Sequence, residues 1–203
     1  MSFFDYFQIA IVVIVVAIIF TKAAYLRISR NITAIIAGRD SRGVARVFEI
    51  AAFAGLVFWI VEVLSYALHS SVRTLPEGFH LQLFDSFPAK VAGVLLISGG
   101  LIVFILAFFD FGDSWRVGVD YETPGALVTR GIFSLTRNPI YVFIDSWFIG
   151  ALLINGTLIF LVLAVLAIAA QHWQIRREEE FLKERYGEVY VSYRKKTPRY
   201  LIW

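Results

Sequence analysis

Four predominantly apolar stretches, residues 3–20, 50–68, 91–109 and 157–173, dominate this chain, and each is close to the length that crosses a bilayer. A helix needs about 20 apolar residues to cover ~30 Å of hydrocarbon. Residues 140–154 form a fifth, shorter stretch, joined to its successor by Asn155-Gly156. The expected fold is therefore all-α: an integral membrane protein with about five transmembrane helices. A composition that is 59% hydrophobic and 17% charged, with a mean hydropathy of +0.71, agrees.

The positions of Lys and Arg orient those spans. Six follow the first span (Lys22, Arg27, Arg30, Arg39, Arg42 and Arg46), three follow the third (Arg116, Arg130 and Arg137), and eight lie in the tail after the fifth. Only Arg73 and Lys90 fall after the second. Basic residues concentrate on the cytoplasmic side, which puts the N-terminus outside and the C-terminus in the cytoplasm. The first segment does not read as a cleaved signal, because its early charge is Asp5 and its basic residues come after it. The same placement accounts for the net charge of +3 and a pI near 9.2, so no nucleic-acid partner is expected.

Absence of cysteine removes disulfides, thiolate metal sites and a cysteine nucleophile. His69 and His80 fall on the outer side and His172 on the inner, so they cannot share an ion, and no metal is expected. The chain reads as one membrane domain. Residues 1–109 supply three helices with their connections, and residues 110–203 supply a cytoplasmic loop, a helical hairpin and a C-terminal helix with its tail. The outer connection, residues 69–88, mixes Pro, Gly and aromatics and suits a lid or interfacial loop. The inner one, residues 110–139, is long and carries Trp115, Tyr121 and Phe133, which suggests an ordered loop.

Polar chemistry gathers at the inner face. No Gly or Pro interrupts residues 157–186, and Gly187 supplies a stop, so the last helix is a rod of ~45 Å that protrudes from the membrane. His172 and Glu179 are seven residues apart and share one face, ~10 Å apart along the axis, while Glu178 points to a different side. Arg176 with Glu180 and Glu179 with Lys183 are i,i+4 pairs, so part of this run also reads as a solvated face. The tyrosines of the tail and Trp203 also suit an aromatic belt.

In combination these residues resemble a known family. GDSWRVG at 112–118, LVTRGIF at 127–133, RNPIY at 137–141, EExxL at 178–182, YGEVYVSY at 186–193 and Pro198-Arg199 are similar to the isoprenylcysteine carboxyl methyltransferases and their relatives, including the phospholipid N-methyltransferases. The resemblance covers residues from about 112 to the C-terminus. It implies a small multi-span methyltransferase that binds S-adenosylmethionine at the cytoplasmic face and methylates a lipid-like or prenylated acceptor, at a carboxyl or an amine, arriving from the bilayer.

It also implies site residues. Arg137, Asn138, Pro139 and Tyr141 would belong to the cofactor site, with Leu127, Val128 and Gly131 beside the adenosine. His172, Glu178 and Glu179 would close the pocket as the catalytic groups, and Trp115, Tyr190 and Arg199 would border the acceptor. Arg137 and Glu179 are expected at the polar mouth, replaceable without loss of the fold. Asn138 stands where the family usually has His, Ile132-Phe133 where Pro-Tyr is common, and Phe143 where Gly often follows. Asn still forms hydrogen bonds but is no proton acceptor. Two other readings come from different classes: a nicotinamide-dependent lipid reductase-like protein, and a non-catalytic lipid-binding membrane protein that keeps the pocket.

Overall fold

A computed structural model describes residues 1–33, 44–72, 74–115 and 126–201. Arg39, Arg42, Arg73, Arg116, Tyr121 and Trp203, which entered the expectations above, lie outside the described residues. Six α-helices form among those described: α1 Phe3–Arg30, α2 Val44–Ala67, α3 Phe87–Phe111, α4 Pro139–Asn155, α5 Leu158–Tyr186 and α6 Glu188–Lys196. The first three, with α5, are long and apolar enough to cross a membrane, and α4 is a shorter apolar helix of 17 residues. The five apolar helices coincide with the five apolar stretches. The sixth helix was not visible as a separate element.

The chain divides into two compact units, Met1–Pro76 with Asp113–Gly125, and Glu77–Gly112 with Ala126–Trp203. In the first, α1 opens on a capping box in which Ser2 and Asp5 each bond the other's backbone N–H. That satisfies two donors the first turn leaves without helical partners. Its buried residues Gln8, Ile11, Val12 and Val15 follow helical spacing, as do Trp59, Glu62 and Val63 on α2. The two helices pack on each other, and His69 Nε2 lies 3.0 Å from Asp5 Oδ2 where the end of α2 meets the start of α1.

In the second unit α3 and α4 form the tightest pair. Their seam is built from small residues. A β-carbon on Gly93 would lie 2.6 Å from the Gly150 carbonyl oxygen, and one on Gly100 would lie 2.7 Å from Ser146 Cβ. Close backbone approach of this kind is how apolar helices associate where hydrocarbon gives no hydrophobic drive between them. Phe104, Phe143 and Trp147 continue the seam as a ladder, with ring centroids 4.9 and 5.4 Å apart.

The α4–α5 turn depends on Gly156, whose φ of +62° is left-handed and whose missing side chain makes room for the Phe84 carbonyl. The loop before α3 closes over this turn, with Gln82 Nε2 donating to Asn155 O at 2.9 Å and Leu158 N–H to Leu81 O at 3.0 Å. From there α5 runs 29 residues without a break and stops at Gly187. Beyond Gly187 the chain turns into α6, so the tail folds back along the end of α5 instead of trailing away.

Candidate active site

The returning tail grips the start of α4. Arg137 N–H donates to Pro198 O at 3.0 Å, while Thr136 Oγ1 and Asn138 Nδ2 both donate to Arg199 O, at 3.1 and 3.0 Å. Tyr193 donates its hydroxyl to Phe133 O at 2.5 Å. RNPIY is therefore the receiving half of a clasp, and Asn138 uses the hydrogen-bonding capacity it keeps without an imidazole. Pro139 is buried in the first turn of α4, where its missing N–H costs no helical bond.

At the centre of the clasp stands Glu179, whose side chain is 6% exposed. Its Oε1 receives Arg137 Nη2 at 2.7 Å and its Oε2 receives Arg199 Nη2 at 2.7 Å. Arg137 Nη1 donates in addition to the carbonyls of Arg194 and Thr197, at 3.0 and 2.8 Å. Burial alone would raise the Glu179 carboxyl, but hydrogen bonds from Arg199 and Arg137, reinforced by their charge, hold it below its ordinary value. The same carboxylate raises the Arg199 guanidinium in turn. Arg137 and Glu179 thus lie inside a buried network: removing Glu179 leaves Arg137 without a counter-charge, whereas removing Arg137 leaves Glu179 paired with Arg199 alone. Their burial differs from the open polar mouth expected of them, and replacement of Glu179 is therefore expected to cost stability.

Glu178 points to a different side of α5 from Glu179, as its spacing led one to expect, and is engaged there: Tyr141 on α4 donates its hydroxyl to Glu178 Oε1 at 2.7 Å and Gln174 Nε2 reaches the same oxygen at 3.0 Å. The α4 side and the tail cover two faces of α5, so adjacent glutamates can both be engaged. His172 lies beside Tyr200, with Nδ1 2.9 Å from the hydroxyl and the rings stacked at 22°. Arg176 Nε, which can only donate, points at His172 Nε2 at 3.1 Å. His172 Nε2 is therefore the acceptor of that contact.

Three cofactor candidates sit slightly apart. Val128 packs against the buried cluster of Ala107, Ile132 and Phe133, and Leu127 is half-buried. Gly131 adopts a φ of +61°, and a side chain there would strike the Asp110 carboxylate, whose Oδ2 accepts the Ile132 N–H at 2.8 Å. The closeness at this glycine is thus taken up by Asp110. Among the acceptor candidates, Arg199 belongs to the clasp, and Tyr190 is buried within the charge field of Glu179, Arg137 and Arg199. Trp115 is buried but belongs to the other unit.

A polar seam that the motif reading passed over runs from the clasp into the apolar part of the unit. Arg137 just before α4, and Tyr141 and Asp145 on it, recur every four residues; on α5, Gln171, Gln174 and Glu178 share a face. Asp145 lies beside Gln171, and Tyr200 feels its charge. Asp145 Oδ1, both polar atoms of the Gln171 amide and Gln174 Oε1 are buried with no hydrogen-bond partner in the protein. A lone carboxylate inside an apolar helix is a functional signal in its own right, and Asp145 was findable on that ground.

Fold and site together define a multi-pass membrane protein whose polar chemistry is concentrated where α4 begins and α5 ends. Residues 88–189, just over half of the chain, match the phospholipid methyltransferase family, and the chain belongs to that family. No curated protein matches it. The matched stretch holds α3, α4, α5 and every acidic member of the site. The chain is thus a membrane protein of a methyltransferase family, as its motifs led one to expect.

Proposed function

We propose that this protein is an S-adenosylmethionine-dependent methyltransferase acting on an amphiphilic, lipid-like acceptor, with its site at the cytoplasmic face. One observation carries the reading: the seam between α4 and α5, where Asp145, Gln171 and Gln174 present unpaired buried atoms next to Tyr141 and Glu178. Buried polar atoms without partners are rare in a folded chain and suit a ligand that brings its own donors. S-adenosylmethionine fits that demand, since its ammonium and ribose hydroxyls donate and its sulfonium favours carboxylates and aromatic faces. Asp145, Gln174 and Glu178 would hold the donors, and Tyr141 would stand near the sulfonium.

When bound, the cofactor would supply an electrophilic methyl group whose leaving group is a neutral thioether. The protein's part is to align and to exclude water. The Arg137–Glu179–Arg199 network positions the start of α4 against the end of α5, and with it Tyr141 and Glu178. An amine acceptor has also to lose a proton; Glu178 or Asp145 would receive it, because Glu179 is held between two guanidiniums and His172 Nε2 by Arg176.

The acceptor is proposed to enter sideways from the bilayer. A lipid chain then stays in hydrocarbon, avoiding ~0.8 kcal/mol per CH₂ moved into water. At 17 residues α4 spans about 25 Å, short of the ~30 Å core, which leaves the inner leaflet open beside its start. The cytoplasmic assignment follows from the Lys and Arg distribution, and since the chain has no cysteine, Lys196→Cys offers a unique label that should react only from the cytoplasmic side. The decisive measurement is calorimetric titration of the detergent-solubilised protein with S-adenosylhomocysteine: saturable binding is expected. Binding of a nicotinamide instead, or of neither, would replace this reading with one of the two alternatives. A matched pair of acceptors, one long-chained and one truncated to a soluble analogue, tests lateral entry, and equal turnover of both would refute it.

A further inference from the structure

Next to the clasp, where α6 folds against the end of α5, lies a cavity of about 290 Å³ lined by Lys183, Tyr190, Val191, Arg194 and Lys195. Its charge is of one sign. None of the three cations makes an ion pair to a carboxylate among the described residues. The carboxylate four residues before Lys183 is Glu179, already held by Arg137 and Arg199. Tyr190, 1% exposed, has a hydroxyl without a hydrogen-bond partner. A buried hydroxyl left unpaired costs free energy unless something supplies its partner.

We infer that this cavity is a binding site for a phosphoryl anion, held by Lys183, Arg194 and Lys195 and by the Tyr190 hydroxyl. The chemistry favours phosphate over a simple carboxylate. Several terminal oxygens can meet two ammonium groups, a guanidinium fork and a hydroxyl together. The volume lies at the lower edge of small-molecule sites, which fits one phosphoryl group with a small substituent. Burial and the neighbouring Glu179 charge push the Tyr190 phenol up to about 12, so it stays protonated and donates. Arg194 ties the cavity to the clasp, because its backbone carbonyl accepts Arg137 Nη1 at 3.0 Å. The site needs no methyl transfer and stands apart from the cofactor reading.

The anion has two sources, free phosphate or the headgroup of an acidic lipid, and two arms separate them. Inorganic phosphate is titrated into the full chain in phosphatidylcholine nanodiscs, and in parallel the affinity for phosphatidic acid is measured by exchange into the same discs. Saturable binding in at least one arm is expected, weakened about 10-fold or more in Lys183→Gln/Arg194→Gln and several-fold in Tyr190→Phe. Tyr190→Phe keeps the ring and Arg194→Gln keeps the carbonyl that Arg137 uses, so an unchanged thermal midpoint shows that the variants remain folded. Response to phosphate identifies a soluble ligand, and response to phosphatidic acid alone identifies a headgroup. No saturation in either arm, or folded variants that bind like the parent, would overturn the site.

Discussion

The two halves of the second unit are held together by opposite means. Along the α3–α4 seam the contacts are apolar and close, with Gly93 and Gly150 letting the backbones approach and Phe104, Phe143 and Trp147 filling the space beyond. At the clasp the contacts are ionic and long-range, with Glu179 joining Arg137, 42 residues before it, to Arg199, 20 residues after it. The seam fails when something is added and the clasp when something is removed. An apolar interface has no charge to orphan, whereas a buried ion pair has already lost its hydration.

The largest effect should follow from Glu179→Ala. With Arg137 only 7% exposed, this replacement strands a buried guanidinium, which typically costs 3–5 kcal/mol. Thermal unfolding in detergent should fall sharply, and protease should reach the tail at sites closed in the parent. A variant as stable as the parent would show that the clasp does not hold the tail. At the seam, Gly150→Leu drives a side chain into Ile97 and the Gly93 carbonyl and should cost about 1–3 kcal/mol while leaving the tail protected. Equal protease sensitivity in the two variants would erase the distinction between the regions.

Asp145→Leu sharpens the contrast from inside the seam of α4 and α5. It removes an unpaired buried carboxylate oxygen from an apolar helix and should raise stability by about 1 kcal/mol, while S-adenosylhomocysteine binding weakens. Stability gained with affinity kept would mean the residue serves no ligand. The smallest effect is one of pH. Glu179 is held below its ordinary value of 4.5, so its contribution is complete above that pH and is lost as the pH falls through the lowered value and the carboxylate takes up a proton. An acid titration of stability should therefore show a slope below pH 4.5 that Glu179→Gln lacks; parallel curves would assign the acid sensitivity elsewhere.

The i,i+4 pairing of Glu179 with Lys183 shows where local reasoning ended. On an isolated helix that pair is the natural partner choice. In the folded protein two arginines reach Glu179 from other segments and displace it, because a buried carboxylate gains more from bidentate guanidinium donors than an exposed one does from a lysine. Arg137, Tyr141, His172 and Glu179 were findable from motif and spacing, yet the partner of each was not. Asp145 carried a signal of its own, and Gln171 and Gln174 acquire meaning only once α4 lies beside α5.

What the amino-acid order determined by itself is what depends on neighbours along the chain. Five apolar helices, the unbroken run of α5 and its stop at Gly187 all follow from side-chain hydropathy and backbone freedom over a few turns. Tertiary structure alone decided that the chain past Gly187 forms α6 and returns, that Asn138 binds the Arg199 carbonyl, and that Glu178 joins Tyr141. Those outcomes pair residues 37 to 61 positions apart. Which charges meet at that range is set by where the helices end in space, and a linear pattern of hydropathy holds no record of it.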